Sequence, residues 1–525
     1  MGKMPKWLLI ACFLIAASGA KAGAQTINAA SCSSTDVQAA LNKVASDGAI
    51  VNIPAGTCTW TSGITYKQIY SLIVQGQTTC TGTPASSCAD NTILQDNIAR
   101  SGFDTPLLDF ETVLGKSLRV TGITFTSTNS NNLTYMGPLR RNGASQAVRL
   151  DHCHFSNIQY TAMSEDGPFG VIDHVLVEVN SEFMRPQNSS LFGVGTYGDN
   201  AFAQPTGFGT NQFFFLEDST IIGPARLNGG GTNDCYRGGK FVVRYNNLIH
   251  TSVQGHGTGH AGDDRGCRAA ELYMNTFSNP SYTQFNVFFE AGGPAMIWGN
   301  TAPNFSNFIT AHINREDNAT YQQSAIPNGW GYCGNAVTGS VSPWDQNSDV
   351  PTGYGCMDQV GRGQGDLLSG AFPKKVNTAQ GNVIAWVRQK LEPVYEWNDT
   401  WSCHACGGHF LSVYDPGIVQ NRDIFLGSDG TANCPANPSS TCSKGVGVGT
   451  LANRPNACVI NSLTYPAGNN PGVGYWATDQ NTLYVCTATN TWTSYYTPYR
   501  YPHPLTQSSS AGAPVAPTNL TATVN

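Results

Sequence analysis

Between His250 and Glu271 the chain concentrates groups that can move protons, hold an anion or bind a cation: His250, His256, His260, Asp263, Asp264, Arg265, Arg268 and Glu271. Elimination from a uronic acid needs a cation on the carboxylate, a base for the C5 proton and an acid for the leaving oxygen. Arg265 and Arg268 are candidates for bidentate carboxylate binding, and His256 and His260 for proton exchange near neutral pH. Asp263 and Asp264 offer oxygen ligands for Ca²⁺ in the same neutralising role. Glu271, Tyr273 and Trp298 complete the set as substrate-binding residues. The competing reading is a solvated loop in which Arg and Asp pair with each other and the histidines line a Gly-rich turn.

Hydrolysis would instead need two carboxylates about 5–5.5 Å or 6.5–9.5 Å apart, and Asp263, Asp264, Glu271 and Glu290 are the candidates on neighbouring stretches. Cys403-His404-Ala405-Cys406 followed by His409 has the residue types of a metal site, but outside the cytosol a local disulfide is the simpler expectation. The aromatic cluster Tyr475, Trp476, Tyr484, Trp492, Tyr495, Tyr496, Tyr499 and Tyr501 either stacks on sugars or packs against the rest of the fold.

These residues must be positioned by something repetitive. Arg244-Tyr-Asn-Asn-Leu-Ile, Leu272-Tyr-Met-Asn-Thr-Phe and Ile297-Trp-Gly-Asn-Thr-Ala are three versions of one phrase, and they place asparagines at Asn247, Asn275 and Asn300. Repeats of this length cannot bury their own apolar face and must stack on copies of themselves. Carried backwards, the register reaches Ser219, Val175, Cys153 and Ile123; carried forwards, Asp399. The wide step from Val175 to Ser219 is either two coils or one coil with a Gly-rich excursion over 190–211. Stacked Asn side chains bond to one another and to the backbone of adjacent coils, and Cys153 in that column is expected to be a buried free thiol, with an intermolecular disulfide as the alternative.

The expected elements are short β-branched runs. One amphipathic helix precedes them, opened by a capping box at Thr35–Gln38, with Val37, Ala40, Leu41 and Val44 on one face and Gly48 as its stop. It is placed to cap the open end of a β-solenoid. The organisation read from the chain is a signal peptide over 1–24, a β-helix over 25–428 with a long insertion at about 303–392, a Cys- and aromatic-rich β module over 429–505, and a Ser/Ala/Pro/Thr tail over 506–525. The alternative for the N-terminal segment is a membrane anchor.

Removing Lys3, Lys6 and Lys21 with a signal peptide would take the formal charge from −6 to −9, which argues against a nucleic-acid partner. The partner expected is an extracellular polysaccharide, and the chain is expected to be monomeric and either secreted or held in the periplasm or at the cell surface. Cysteine proximity suggests Cys32–Cys58, Cys80–Cys88, Cys235–Cys267, Cys333–Cys356, Cys403–Cys406, Cys434–Cys442 and Cys458–Cys486.

The stretch TDVQAALNKVASDGAIVNIPAGT (35–57), the rungs AVRLDHCHF and GVIDHVLVEV, and the later ELYMNTF and VYEWNDT resemble secreted bacterial proteins of the pectate-lyase-like superfamily. The resemblance spans roughly 35–428 and implies an all-β fold, a right-handed parallel β-helix. It is silent on reaction, because lyases, hydrolases, esterases, epimerases and adhesive fibres share that fold. Lyases of this fold often use an Arg or Lys base with Ca²⁺ held by acidic residues, and their signature motif is not clearly present here. Asp151-His152 and Asp173-His174 echo its Asp-His pair but fall in the ladder turns, where a structural role is expected. The expected activity is therefore β-elimination on an acidic polysaccharide, with a non-catalytic glycan-binding or cell-surface protein, or a glycoside hydrolase, as the alternatives.

Overall fold

Runs of three to five residues with alternating polarity are too short to bury both their faces, and here they stack as the rungs of a parallel β-helix. The computed structural model describes residues 24–507 apart from 82–86, 101–104, 128–136, 160, 188–198, 224–230, 258–264, 281, 283–285, 313–357, 366–388, 404–406, 415–417 and 462–469. Three faces run along the stack. The first is a twelve-stranded parallel sheet from Thr26–Asn28 to Ile424–Leu426, and the second a ten-stranded one from Gly56–Trp60 to Thr400–Ser402. The third begins with Ile64–Lys67, Leu108–Thr112, Leu139–Gly143, Met163–Asp166 and Met184–Gln187, and ends with Val253–Gly255, Asn286–Glu290, Asn307–Ala311 and Leu411–Val413. Parallel bridges Met184–Asn233 and Cys235–Gly255 join its two parts.

Register fills the interior. Val51, Val74, Val120, Leu150, Ile172, Leu216, Val243, Leu272 and Ile297 follow one another across consecutive strands of the first sheet, and all are fully buried. Each such side chain stabilises the stack by about 1.5–3 kcal/mol. An ion pair also lies inside, between Arg141 and its register partner Glu165, whose carboxyl burial pushes up to about 7.

The turn between the first and second faces carries the ladder, with one correction to the sequence register. Asn246, not Asn247, donates from Nδ2 to Asn275 Oδ1 at 3.0 Å, Asn275 donates to Asn300 Oδ1 at 3.0 Å, and Asn300 to Asp399 Oδ1 at 2.8 Å. The residue before each ladder position explains the slip. Gly122, His152, His174, Asp218, Tyr245, Met274, Gly299 and Asn398 all have left-handed φ, between 50° and 68°, so Tyr245 corresponds to Met274 and the next residue is the rung. Ile123, Cys153, Val175 and Ser219 follow left-handed residues in the same way. Cys153 is a buried free thiol that donates to Asp151 O at 3.3 Å, and burial raises its pKa. The step from Val175 to Ser219 is one coil, because Leu176–Val179 pairs directly with Thr220–Ile222.

The N-terminal helix is Ser34–Leu41 with Val37, Ala40 and Leu41 buried. Its cap is Ser33 rather than Thr35: Ser33 Oγ accepts from Asp36 N at 3.2 Å, and Asn42 rather than Gly48 ends it. The stack continues past 303 through Asn307–Ala311. Arg362–Gly365 and Gln389–Leu391 then form an antiparallel pair before Val394–Trp397 rejoins the first sheet.

The C-terminal strands Val446–Gly449, Gly474–Ala477, Thr482–Ala488 and Thr491–Tyr496 make a small sheet. Its aromatics pack on the outside of the first sheet. Tyr273, Trp298 and Trp397 stack along consecutive strands at 4.6 and 6.0 Å, and Trp476 lies 5.3 Å from Trp298. Residues 497–507 then run back across the same outer face as a strap. Arg244 donates to Tyr499 O at 2.7 Å, His503 N to Glu217 Oε1 at 2.8 Å and Arg149 to Leu505 O at 3.2 Å.

Five expected disulfides are present: Cys32–Cys58, Cys80–Cys88, Cys235–Cys267, Cys434–Cys442 and Cys458–Cys486. They point to an oxidising environment. Cys333–Cys356, Cys406 and the segment 1–23 lie outside the described residues. Among the described residues no helix is long and apolar enough to cross a membrane.

Candidate functional site

The connections after Gln187, His256 and Ala311 all leave the third face on their way to the first, and the first and last of them are the longest in the stack. Loops on a rigid scaffold are where binding residues concentrate, which places the candidate region on the outer side of this face. Because Met184 is bridged to Asn233, Arg185 stands beside Asp234. Because Cys235 is bridged to Gly255, Tyr236 stands beside His256. The Cys235–Cys267 disulfide, Arg237 N bonded to Arg265 O at 2.7 Å, and Cys267 N bonded to His256 O at 2.7 Å hold this corner together.

Tyr236 is the centre of the cluster. The Arg185 and Arg237 guanidinium carbons lie 5.4 and 5.1 Å from its ring centroid, and the His256 ring 6.1 Å away. All four are half-buried. Arg237, in a left-handed turn at φ 52°, donates to Gln187 Oε1 at 3.4 Å among its contacts. His256 Nδ1 lies 2.8 Å from Gly257 O, which can only accept; in the neutral ring this puts the proton on Nδ1 and leaves Nε2 as the basic nitrogen. Arg185 Nη2 reaches Glu182 Oε1 at 2.7 Å and Asp234 Oδ2 at 3.0 Å. Burial, and then the Asp234 carboxylate, push the Glu182 carboxyl up to about 7. Arg185 thus joins the Glu182 carboxyl to the Tyr236 cluster, where a second guanidinium, a phenol and an imidazole can hold an anionic ligand and exchange a proton with it.

Of the residues expected from sequence, His256 belongs to this cluster. His260, Asp263 and Asp264 lie outside the described residues. Arg265 and Arg268 stand elsewhere: both are fully buried. Arg265 donates from Nε and Nη2 to Asp358 at 2.9 and 2.6 Å and lies 3.9 Å over the Phe202 ring. Arg268 donates to Ala201 O and Gln204 O, both at 2.9 Å, and to Glu392 Oε2 at 2.7 Å. The two guanidiniums therefore fasten the excursions at 199–204, 358–365 and 389–392 to the stack. Glu290 is also buried, in the interior opposite Gly255, and its carboxyl is raised well above the usual range by burial.

Glu271, Tyr273 and Trp298 lie on a different face, the first, beneath the C-terminal module. Glu271 accepts from Gly209 N and Tyr496 Oη, both at 2.8 Å, and burial raises its carboxyl to about 7. Tyr273 is buried, with its hydroxyl bonded to Arg244 at 2.8 Å. The structure thus separates His256 from the three expected substrate-binding residues. Among the described residues no group of three or more His, Cys, Asp or Glu side chains could hold a metal ion.

Glu182, Arg185, Asp234, Tyr236 and Arg237 were not singled out in the sequence. The signal that could have found the last three was the Cys235–Cys267 pairing, which draws Asp234-Cys-Tyr-Arg against the histidine loop.

Asp151-His152 and Asp173-His174 occupy ladder turns on the first face. Arg119 holds Asp151 by two bonds at 2.7 and 2.6 Å, Arg149 holds Asp173 at 2.8 and 2.7 Å, and the two imidazoles stack at 5.1 Å. No protein-family model matches the chain, and neither does any curated protein or solved structure.

Proposed function

We propose that this protein is an exported polysaccharide lyase of the pectate-lyase-like type that acts on an acidic glycan at the Tyr236 cluster of the third face. The observation that carries the reading is the convergence of Arg185, Arg237, Tyr236 and His256 from three consecutive coils beside Glu182. Arg237 takes the uronate carboxylate, which stabilises the charge that builds up when C5 is deprotonated. His256 Nε2 removes the C5 proton, the C4–O bond breaks as the C4–C5 double bond forms, and the Tyr236 hydroxyl supplies a proton to the departing oxygen. Arg185, already held between Glu182 and Asp234, positions both carboxylates and the ring of Tyr236. The Ca²⁺ role read for Asp263 and Asp264 falls outside the described residues, and no step here runs through it.

The test is a screen of uronate polymers for ultraviolet-absorbing unsaturated ends. Product from at least one polymer supports the assignment; glycan binding without product selects the non-catalytic reading.

Glu182 and Asp234 favour a second reading, hydrolysis. Both meet the same Arg185 nitrogen, and Glu182 has the raised carboxyl expected of a general acid. New reducing ends without unsaturated product, lost in Glu182→Gln, would select it.

A further inference from the structure

A groove of about 810 Å³ lies on the outer side of the first face at its N-terminal coils, away from the Tyr236 cluster. Its floor is built by register. Asn28, Asn52, Gln75 and Thr121 are partnered one to the next across consecutive parallel strands, so their side chains leave the sheet in one column at the strand spacing of about 4.8 Å. Asn52 Nδ2 donates to Asn28 Oδ1 at 2.9 Å, which aligns the amide planes along the stack. Arg119 and His152 close the far end, and both are turned to Asp151, at 2.6 Å and 2.7 Å. The ionisable groups of the groove thus serve the sheet's own carboxylate, and the rest of the lining is carboxamide, hydroxyl and glycine backbone together with the uncharged Ala29, Ile53 and Pro54.

The column changes character where the chain's own cover ends. Beneath the C-terminal module the same register position holds Tyr273, Trp298 and Trp397, and the strap reaches the Arg149 coil at Leu505. Beyond it, the position is taken by amides and a hydroxyl. A side-chain amide presents a donor and an acceptor in one plane, a pattern that pairs with neighbouring hydroxyls on a sugar ring and offers no counter-charge to an ionic ligand.

We propose that this groove binds a neutral, hydroxyl-rich glycan chain, as a site separate from the third-face cluster. The protein would then hold carbohydrate on two faces, an acidic substrate on one and a neutral polymer on the other. The inference stands whether or not the third face is catalytic.

The experiment is calorimetric titration of the full chain with cellohexaose, xylohexaose and mannohexaose. At least one should bind. Gln75→Ala, an exposed position, should weaken that binding by about tenfold, as expected for losing one or two directed hydrogen bonds, with the melting temperature unchanged. Asn52→Ala combined with Gln75→Ala should remove it, while Tyr236→Phe and His256→Ala leave it intact. Absence of binding by all three sugars overturns the proposal. So does binding that survives Gln75→Ala undiminished, or that is lost in the third-face variants instead.

Discussion

Arg244→Ala tests how the C-terminal strap is held. Arg244 is fully buried on the first face. Its Nε donates to Glu217 Oε2 at 2.7 Å, its Nη1 to Tyr273 Oη at 2.8 Å and Tyr499 O at 2.7 Å, and its Nη2 to Arg500 O at 3.1 Å. Truncation strands the Glu217 carboxylate, itself fully buried, and removing one partner of such a pair costs about 3–5 kcal/mol. In a stacked array each coil depends chiefly on its neighbours, so the loss should appear as local opening of 497–507 rather than collapse of the rungs. At about 1.4 kcal/mol per tenfold, even the lower figure predicts a more than hundredfold fall in protection. Hydrogen exchange followed by mass spectrometry reads this in peptides covering Tyr499–Leu505, with peptides from Val120 to Ile172 as the internal reference. Arg244→Lys should recover part of the protection, because an ammonium keeps the charge but cannot span four acceptors. Wild-type exchange of the strap in Arg244→Ala would refute this account of its attachment.

Three further outcomes follow from the packing. Asn275→Ala removes bonds to Val243 O, Tyr273 O and Asn300 Oδ1 at 2.8, 3.1 and 3.0 Å, and should cost about 3 kcal/mol in denaturant unfolding; Asn247→Ala, outside the ladder, should cost far less. Arg265→Ala leaves Asp358 buried without its guanidinium, so a loss of about 3–5 kcal/mol and proteolytic cleavage near 358–365 are expected, whereas an unaltered digest would count against the fastening role. Burial raises the Glu271 carboxyl from near 4.5 to about 7, so the folded state holds that proton more tightly than the unfolded chain. Stability from this group is therefore present at lower pH and is lost as pH rises from about 4.5 through about 7. Glu271→Gln should flatten that part of the melting profile, and an unchanged slope would show that Glu271 does not contribute it.

The architecture was legible in the sequence because the ladder uses one residue type at one place in a repeated turn. Asn275, Asn300 and Asp399 stand where the phrase put them, and Cys153 takes a ladder position with no amide at all. The Asn246-Asn247 doublet misled by one residue, since composition cannot tell which of two adjacent asparagines follows the left-handed residue Tyr245. The site was less legible for a different reason. Charge-rich loops advertise residue types but not directions: Arg265 and Arg268 turn inward to Asp358 and Glu392, partners 93 and 124 residues away. Glu182, Arg185 and Asp234 are scattered over two coils separated by a long excursion, and only the bridge Met184–Asn233 brings them side by side. Tyr273 and Trp298 were expected to bind substrate, but what covers them is the chain's own C-terminal sheet.

The claim that the third face is the reactive one is tested most directly by the rate of unsaturated-product formation in His256→Ala and Tyr236→Phe, with melting temperatures matched to wild type. If these groups exchange the protons of elimination, each substitution should slow the reaction by about 10²-fold or more. Wild-type rates in both would contradict the assignment.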